Sequence, residues 1–335
     1  MRTLVLDEPE HFRRSDTDHP GDPGPGEALV RVRRVGICGT DLHAYRGRQP
    51  FFNYPRILGH ELGVEVETVG PGVEDLQAGA LCAVEPYLNC GACPMCRVGR
   101  TNCCENLQVL GVHTDGGMRD WLRLPAAKLH TSTSLAPEQL ALVETLGIGA
   151  HAVERAQLTT EDRILVIGAG PIGLSVLQFA KLVDAPLAVA ELDAGRRAFC
   201  REQFGIEHCL EGSPEAVRQV FGGLPPTVVF DATGNPHSMR AAFDYPGNGG
   251  RLVFVGFFQG EIAFNSPEFH RRELTLFGSR NAQSQDFDRI LRLMEDGSIN
   301  TQPWITHRTD YDGIVEEFPR WLDPTNGVVK AMLEL

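Results

Sequence analysis

Lysine is scarce in this chain, long apolar runs are missing, and positive charge is in deficit. Only three lysines occur among 335 residues, Lys128, Lys181 and Lys330, and the formal charge is −13 at pH 7. Such a surface repels phosphate backbones, so nucleic acid is not expected as a partner. No apolar run approaches the roughly 20 residues of a membrane-spanning helix. The N-terminus, Met1-Arg2-Thr3-Leu4-Val5-Leu6-Asp7-Glu8, is charged too soon for a secretory signal. Internal repeats and low-complexity tracts are also missing. These absences exclude membrane and secreted classes and point to a cytoplasmic chain. Hydrophobic content of 42% with 22% charged residues suits a soluble globular protein, and the length suits two ordinary domains.

Nine cysteines are present, too many to pass over in a chain of this class. Five lie within fifteen residues: Cys90, Cys93, Cys96, Cys103 and Cys104. Without a secretory context, clustering points to metal rather than to disulfides. Cys90-x2-Cys93-x2-Cys96-x7-Cys104 offers four soft sulfurs in one short loop, which suits closed tetrahedral zinc. Gly91, Pro94 and Gly99 supply tight turns, and Cys103 is the spare. Cys82, Cys200 and Cys209 read as small buried side chains.

A second donor set is spread over Gly36-Ile37-Cys38-Gly39-Thr40-Asp41-Leu42-His43 and Gly59-His60-Glu61. Cys38, His60 and Glu61 are a thiol, an imidazole and a carboxylate. Three protein ligands with one open position make a catalytic rather than a structural zinc site. Thr40 and His43 could carry a proton away from whatever occupies the open position. The competing bland reading makes Thr40 the cap of a helix beginning near Asp41 and His43 a structural histidine.

The first half of the chain is β-rich. Ala28 to Val35 and Gly63 to Val69 alternate apolar and polar residues, as half-buried strands do. Asp16 to Glu27 reads as a loop. Beyond Arg163 the pattern changes to short apolar strands alternating with helices. Strands are predicted at Ile164–Ile167, Leu187–Ala190, Val228–Phe230 and Leu252–Val255. Helices are predicted at Ile172–Leu182, Ala194–Phe204 and Asp286–Glu295, the last stopped at Gly297. Strand–helix alternation predicts a doubly wound parallel sheet.

Gly168-Ala169-Gly170-Pro171-Ile172-Gly173 follows the first of these strands and opens a helix. That context makes it a dinucleotide turn, with the helix N-terminus facing a pyrophosphate. Glu191 ends the next strand, where an acid accepts bonds from ribose hydroxyls and repels a 2′-phosphate. NAD is therefore favoured over NADP, although Arg196, one helical turn on, could favour the phosphate.

With these features together, the chain resembles the zinc-containing medium-chain dehydrogenase/reductase family over nearly its whole length. Asp231-Ala232-Thr233-Gly234 and Gly249-Gly250-Arg251-Leu252-Val253-Phe254-Val255-Gly256 add to the match. The loop His43-Ala44-Tyr45-Arg46-Gly47-Arg48-Gln49-Pro50-Phe51-Phe52 is similar to polyol and sugar-acid dehydrogenases, including enzymes that oxidise a hexonate at carbon 5. The resemblance implies a GroES-like β-rich catalytic domain over 1–147, with a structural zinc lobe at about 86–106. A Rossmann domain over 148–278 and a return to the catalytic domain over 279–335 complete it, with the active site in the cleft between domains. It also implies a homodimer or homotetramer.

Carried over by position, Cys38 and His60 bind catalytic zinc, while Glu61 and Glu144 compete for the third place. Thr145 stands where relatives commonly have proline. Thr233 and Gly256 join the cofactor site. The implied reaction is reversible hydride transfer, with zinc acidifying the hydroxyl of a small molecule, Thr40 accepting its proton and His43 passing it outward. The substrate expectation is a secondary hydroxyl of a polyol or hexonate, oxidised to a ketone, with Arg46 or Arg48 pairing a carboxylate and Phe51 and Phe52 shaping the pocket. Alternatives are a zinc alcohol dehydrogenase for simple alcohols, a threonine dehydrogenase-like enzyme, and an NAD- and zinc-binding protein without catalysis.

Overall fold

The computed structural model describes residues 1–49 and 52–335. They form two compact units, Met1–Glu144 with Gln283–Leu335, and Thr145–Ala282. The helix Val143–Ala156 carries the chain from the first unit into the second. Among the described residues no helix is long and apolar enough to cross a membrane.

The first unit is built on a seven-stranded sheet. Its order is Ile305–Asp310, Lys330–Glu334, Glu27–Ile37, Glu61–Val69, Leu81–Val84 and Leu129–Ser132, with Trp121–Pro125 also paired to Glu27–Ile37. Alternation decides which face is covered. Ala28, Val30 and Val32 are fully buried, as are Val64 and Val66, while Arg33 and Glu65 pair on the other face. Each such valine contributes roughly 1.5–3 kcal/mol when taken from water. Register sets which residues meet at the sheet's end. Glu27–Ile37 lies between its two neighbours with Gly36 opposite both Glu61 and Met332, and Ile37 opposite Ala331. The starts of two flanking strands thus meet the end of the strand that leads into Cys38.

The second unit carries a six-stranded sheet, wholly parallel: His208–Leu210, Leu187–Ala190, Ile164–Ile167, Val228–Asp231, Arg251–Phe254 and Thr275–Gly278. Its central strands, Ile164–Ile167 and Val228–Asp231, are fully or nearly fully buried and apolar apart from Asp231, as parallel strands covered on both faces must be. The fold is thus α/β: a β-rich, GroES-like unit and a Rossmann-like, doubly wound parallel one. Boundaries differ slightly from the sequence reading. The helix after the glycine turn is Pro171–Ala180, because proline suits the first helical position, and the later one is Ser284–Glu295. The larger correction concerns Cys38. The helix there spans Gly39–Tyr45, so Thr40 lies inside its first turn and does not cap it.

Candidate metal centres and dinucleotide turn

Cys38 is the helix N-cap, in extended conformation, and its N–H donates to Asp41 Oδ2 at 2.9 Å. Asp41 sits three residues on, where a carboxylate reaches back to the cap. Gly59, at φ +96°, turns the chain into His60, and a Cβ there would press on Val35 Cγ1 at 2.8 Å. Glu61 then folds across Gly36, where an added Cβ would meet Glu61 Oε2 at 2.2 Å. The outcome is convergence: one ligand atom from each of Cys38, His60 and Glu61 lies within 4.8 Å of the others.

The surroundings are buried and charged. Lys330 Nζ, itself 1% exposed, donates to both Glu61 oxygens at 2.5 and 2.7 Å. Burial pulls the Lys330 ammonium down, but Glu61 and then Cys38 hold it above its ordinary value. Asp41 Oδ1 faces His60 Nδ1 at 3.8 Å, and both atoms are buried without a hydrogen bond. Burial opposes charge on His60, yet Asp41 and Cys38 raise it well above an ordinary histidine. Sulfur, imidazole and carboxylate in mutual reach, beside orphaned buried atoms, fit a divalent zinc with a position left open.

Glu144 stands outside that trio. It is buried in the first turn of Val143–Ala156, and the Tyr87 hydroxyl donates to its Oε1. Burial raises the Glu144 carboxyl, and Glu61 adds to this; His60 and Tyr87 offset it only in part. Thr145 follows with its hydroxyl buried and unpartnered.

Thr40 and His43 share the helix that begins at Cys38. Partial burial, then Arg48 and Arg46, push the His43 imidazole below its ordinary value. Arg46 donates to the Leu322 carbonyl at 3.0 Å, whereas Arg48 is exposed. Phe52 packs edge-on against Tyr54 at 4.8 Å, and Phe51 lies outside the described residues.

In the cysteine lobe, the ligand atoms of Cys90, Cys93, Cys96 and Cys104 also lie within 4.8 Å of one another. Gly91 and Gly99 have positive φ, and Pro94 opens the short helix Pro94–Arg97 between them. The Ala92 and Cys93 N–H groups, in that order, lower the Cys90 thiol to about 6. Cys103 is left out of the cluster and accepts from Arg100 at 3.8 Å. Four sulfurs with a thiolate already favoured fit a closed zinc site.

The second unit holds the dinucleotide turn. Gly168 adopts φ +93°, and a Cβ on Gly173 would fall 1.8 Å from the Gly168 carbonyl oxygen. Only glycine permits that approach. Gly170 caps the helix whose first residues are Pro171 and Ile172. Glu191 accepts from the Ala169 N–H at 2.7 Å and the Asp193 N–H at 2.9 Å. Arg196 brings its guanidinium within 3.8 Å of where a Gly170 Cβ would lie. Thr233 donates twice to Asp231, and the Gly256 N–H donates to the Asp231 carbonyl at 3.1 Å. The first two glycines, Thr233 and Gly256 therefore gather at the ends of adjacent strands, and the bare backbone fits a pyrophosphate.

Sequence reasoning missed Lys330, Tyr87 and Asp41. Asp41 alone had a local signal, its capping spacing from Cys38.

Two family models match the chain. The family "Alcohol dehydrogenase GroES-like domain" matches residues 24–134, and "Zinc-binding dehydrogenase" matches 171–296. L-galactonate-5-dehydrogenase of Escherichia coli K12 is 40% identical, over 99% of this chain and 98% of its own length. A short chain alcohol dehydrogenase from E. coli CFT073, solved with NADH, superposes with a TM-score of 0.92 at 29% identity, over 100% of this chain and 99% of that one. A putative zinc-binding dehydrogenase from Sinorhizobium meliloti 1021, solved with NADP, gives 0.87 at 27% identity, over 100% and 99%. The chain belongs to the zinc-type medium-chain dehydrogenase/reductase family and is a zinc- and NAD-dependent oxidoreductase acting on a CH–OH group.

Proposed function

We propose that the protein oxidises a secondary hydroxyl of a hexonate or related polyol reversibly to a ketone, with NAD as acceptor. The convergence of Cys38, His60 and Glu61 in one buried, charged pocket carries the reaction class. Bound zinc would supply Lewis acidity to a substrate hydroxyl, and bound NAD would supply the hydride acceptor. The chain's own residues do the rest. Cys38 and His60 hold the metal, with Glu61 or Glu144 as the third donor. Lys330 orients Glu61 by donating to both of its oxygens, and Tyr87 orients Glu144 by donating to Oε1. Thr40 accepts the hydroxyl proton. His43, whose depressed pKa keeps it neutral at pH 7, takes that proton and releases it outward.

The similarity to L-galactonate-5-dehydrogenase supports a sugar acid as substrate. Arg48 is the better partner for its carboxylate, since Arg46 is engaged with Leu322. Glu191 supports NAD, since its charge repels a 2′-phosphate. The exposed outer strand Thr275–Gly278 ends the parallel sheet and offers free backbone groups to a second copy, which supports a homodimer or a tetramer built from dimers.

Turnover with a panel of hexonates, the matching neutral polyols, threonine and simple alcohols tests the substrate. A hexonate preferred by tenfold or more in kcat/KM supports the reading, and equal efficiency on the neutral polyol removes the carboxylate argument. Glu191→Ala is expected to raise the KM for NAD and narrow the gap to NADP. Light scattering of the purified protein reads the assembly.

A further inference from the structure

One cavity in the second unit shares no residue with the zinc centres or the dinucleotide turn. Its volume is about 370 Å³, and it is lined from three short helices, Pro214–Val220, Pro236–Ala241 and Ser266–Arg271. Four arginines line it, Arg218, Arg240, Arg271 and Arg272, against two acids, Asp244 and Glu268. In a chain of net charge −13 this is a local reversal of sign.

Glu268 is already neutralised. Arg271 pairs with its Oε2 at 2.7 Å, and Arg272 lies 3.8 Å from the same oxygen. Arg218 and Arg240 are different. Both are exposed, and among the described residues neither guanidinium has an ion pair or a hydrogen bond. Each stands in the last turn of its helix, where a cation complements the macrodipole. That accounts for each alone, but not for two unpaired cations lining one cavity.

The cavity is also aromatic. Phe264 stacks on buried Phe243 with centroids 4.9 Å apart and planes at 19°, and Phe269 tilts against Phe264 at 5.0 Å. Phe264 is nonetheless 44% exposed, so the outer ring of this cluster is left partly uncovered. Asp244 lines the same cavity without a hydrogen bond or ion pair among the described residues.

We propose that this cavity is a second nucleotide site, which takes a nucleoside mono- or diphosphate separate from the NAD of the reaction. A base stacks on Phe264, as any base can, because every base has a π-face. The phosphate takes the planar forks of Arg218 and Arg240. Asp244 accepts from ribose hydroxyls. The volume is near the lower end of the roughly 300–1,000 Å³ of small-molecule sites, which suits one nucleotide rather than two. The helix that carries Arg240 also carries Ser238, whose hydroxyl donates to Asp231 Oδ2 at 2.6 Å, while Asp231 Oδ1 accepts from Thr233 at 2.7 Å. One short helix thus ties the cavity to the dinucleotide turn.

Equilibrium dialysis of the zinc-loaded, full-length protein against radiolabelled AMP, with NAD at saturation, tests the proposal. One AMP per chain is expected, with a dissociation constant below about 1 mM. Inorganic phosphate and adenosine, each lacking half of the ligand, are expected to compete at least tenfold more weakly than unlabelled AMP. Arg218→Ala with Arg240→Ala is expected to weaken AMP at least tenfold, and Phe264→Ala at least about fivefold. All three side chains are exposed, and circular dichroism checks that the variants fold. No AMP bound beside saturating NAD overturns the proposal, as does equal binding by the double variant. Phosphate competing as well as AMP reduces the cavity to a bare anion site and also overturns it. AMP held at the dinucleotide turn would be displaced by NAD and indifferent to these substitutions. The outcome is therefore separate from the substrate and cofactor reading.

Discussion

The two sulfur-bearing sites of the first unit are built in opposite ways. The cysteine lobe takes all four donors from one short stretch, burying Cys93 and Cys104 while Cys90 stays exposed. The Cys38 pocket collects donors from separate strands and buries His60, Glu61, Asp41, Glu144 and Lys330 together. A local site needs turns and little else. A pocket assembled across a sheet needs register, close glycines and compensating charge, because each buried ion must be paired or its cost stands. Closure therefore goes with locality, and an open coordination position goes with a pocket the whole sheet must hold.

The sharpest way to break that contrast is to remove one donor from each. Cys38→Ser is expected to reduce zinc from two ions per chain to one and to abolish turnover, with the melting temperature little changed. Cys96→Ser is expected to remove the other ion and to open the lobe to protease. The zinc of such sites contributes about 10–16 kcal/mol of local folding energy in isolated peptides. Metal analysis with limited proteolysis reads both.

Next in size is Lys330→Met. It leaves Glu61 buried without its cation, and breaking such a pair costs about 3–5 kcal/mol. Chemical denaturation should report a loss of that order, and Lys330→Arg should recover part of it. In the lobe, by contrast, substitution of an exposed neighbour such as Val98 should leave stability unchanged.

The legibility of the two sites divides along the same line. Cys90, Cys93, Cys96 and Cys104 are readable because spacing is the site. Gly168 to Gly173 with Glu191 is readable because a strand, a turn and a helix are consecutive. Cys38, His60 and Glu61 are readable as donors, yet Lys330 lies far along the chain from Glu61, and only sheet pairing brings it there. Tyr87 is equally silent, since nothing near it in sequence announces Glu144. Thr40 has a hydroxyl that suits a cap, but the helix starts two residues before Asp41, at Gly39, and Asp41 reaches back to Cys38 instead. Fold class is legible because burial patterns repeat along each element.

A smaller effect should come from Tyr87→Phe. Removing a hydrogen bond to a buried carboxylate costs about 1.5–3 kcal/mol when that group is charged. Zinc affinity measured by chelator competition is expected to change if Glu144 is a donor. Stability alone is expected to change if Glu61 takes that place.

The smallest expected change is in pH response. His43 lies below its ordinary value through burial and then Arg48 and Arg46. A neutral imidazole accepts a proton, so kcat/KM should fall as pH drops through that lowered value. Arg48→Gln removes a cation, raises the His43 pKa and moves the acid limb of the profile to higher pH.

Asp41 joins two tasks in one carboxylate. One oxygen fixes how a helix starts at Cys38, and the other faces the ring of His60. Anyone redesigning this pocket for a different metal would find that the residue steering the imidazole also steers the sulfur. The geometry of the two ligands cannot be tuned one at a time from this position, so ligand exchange in this scaffold is better begun at the carboxylates.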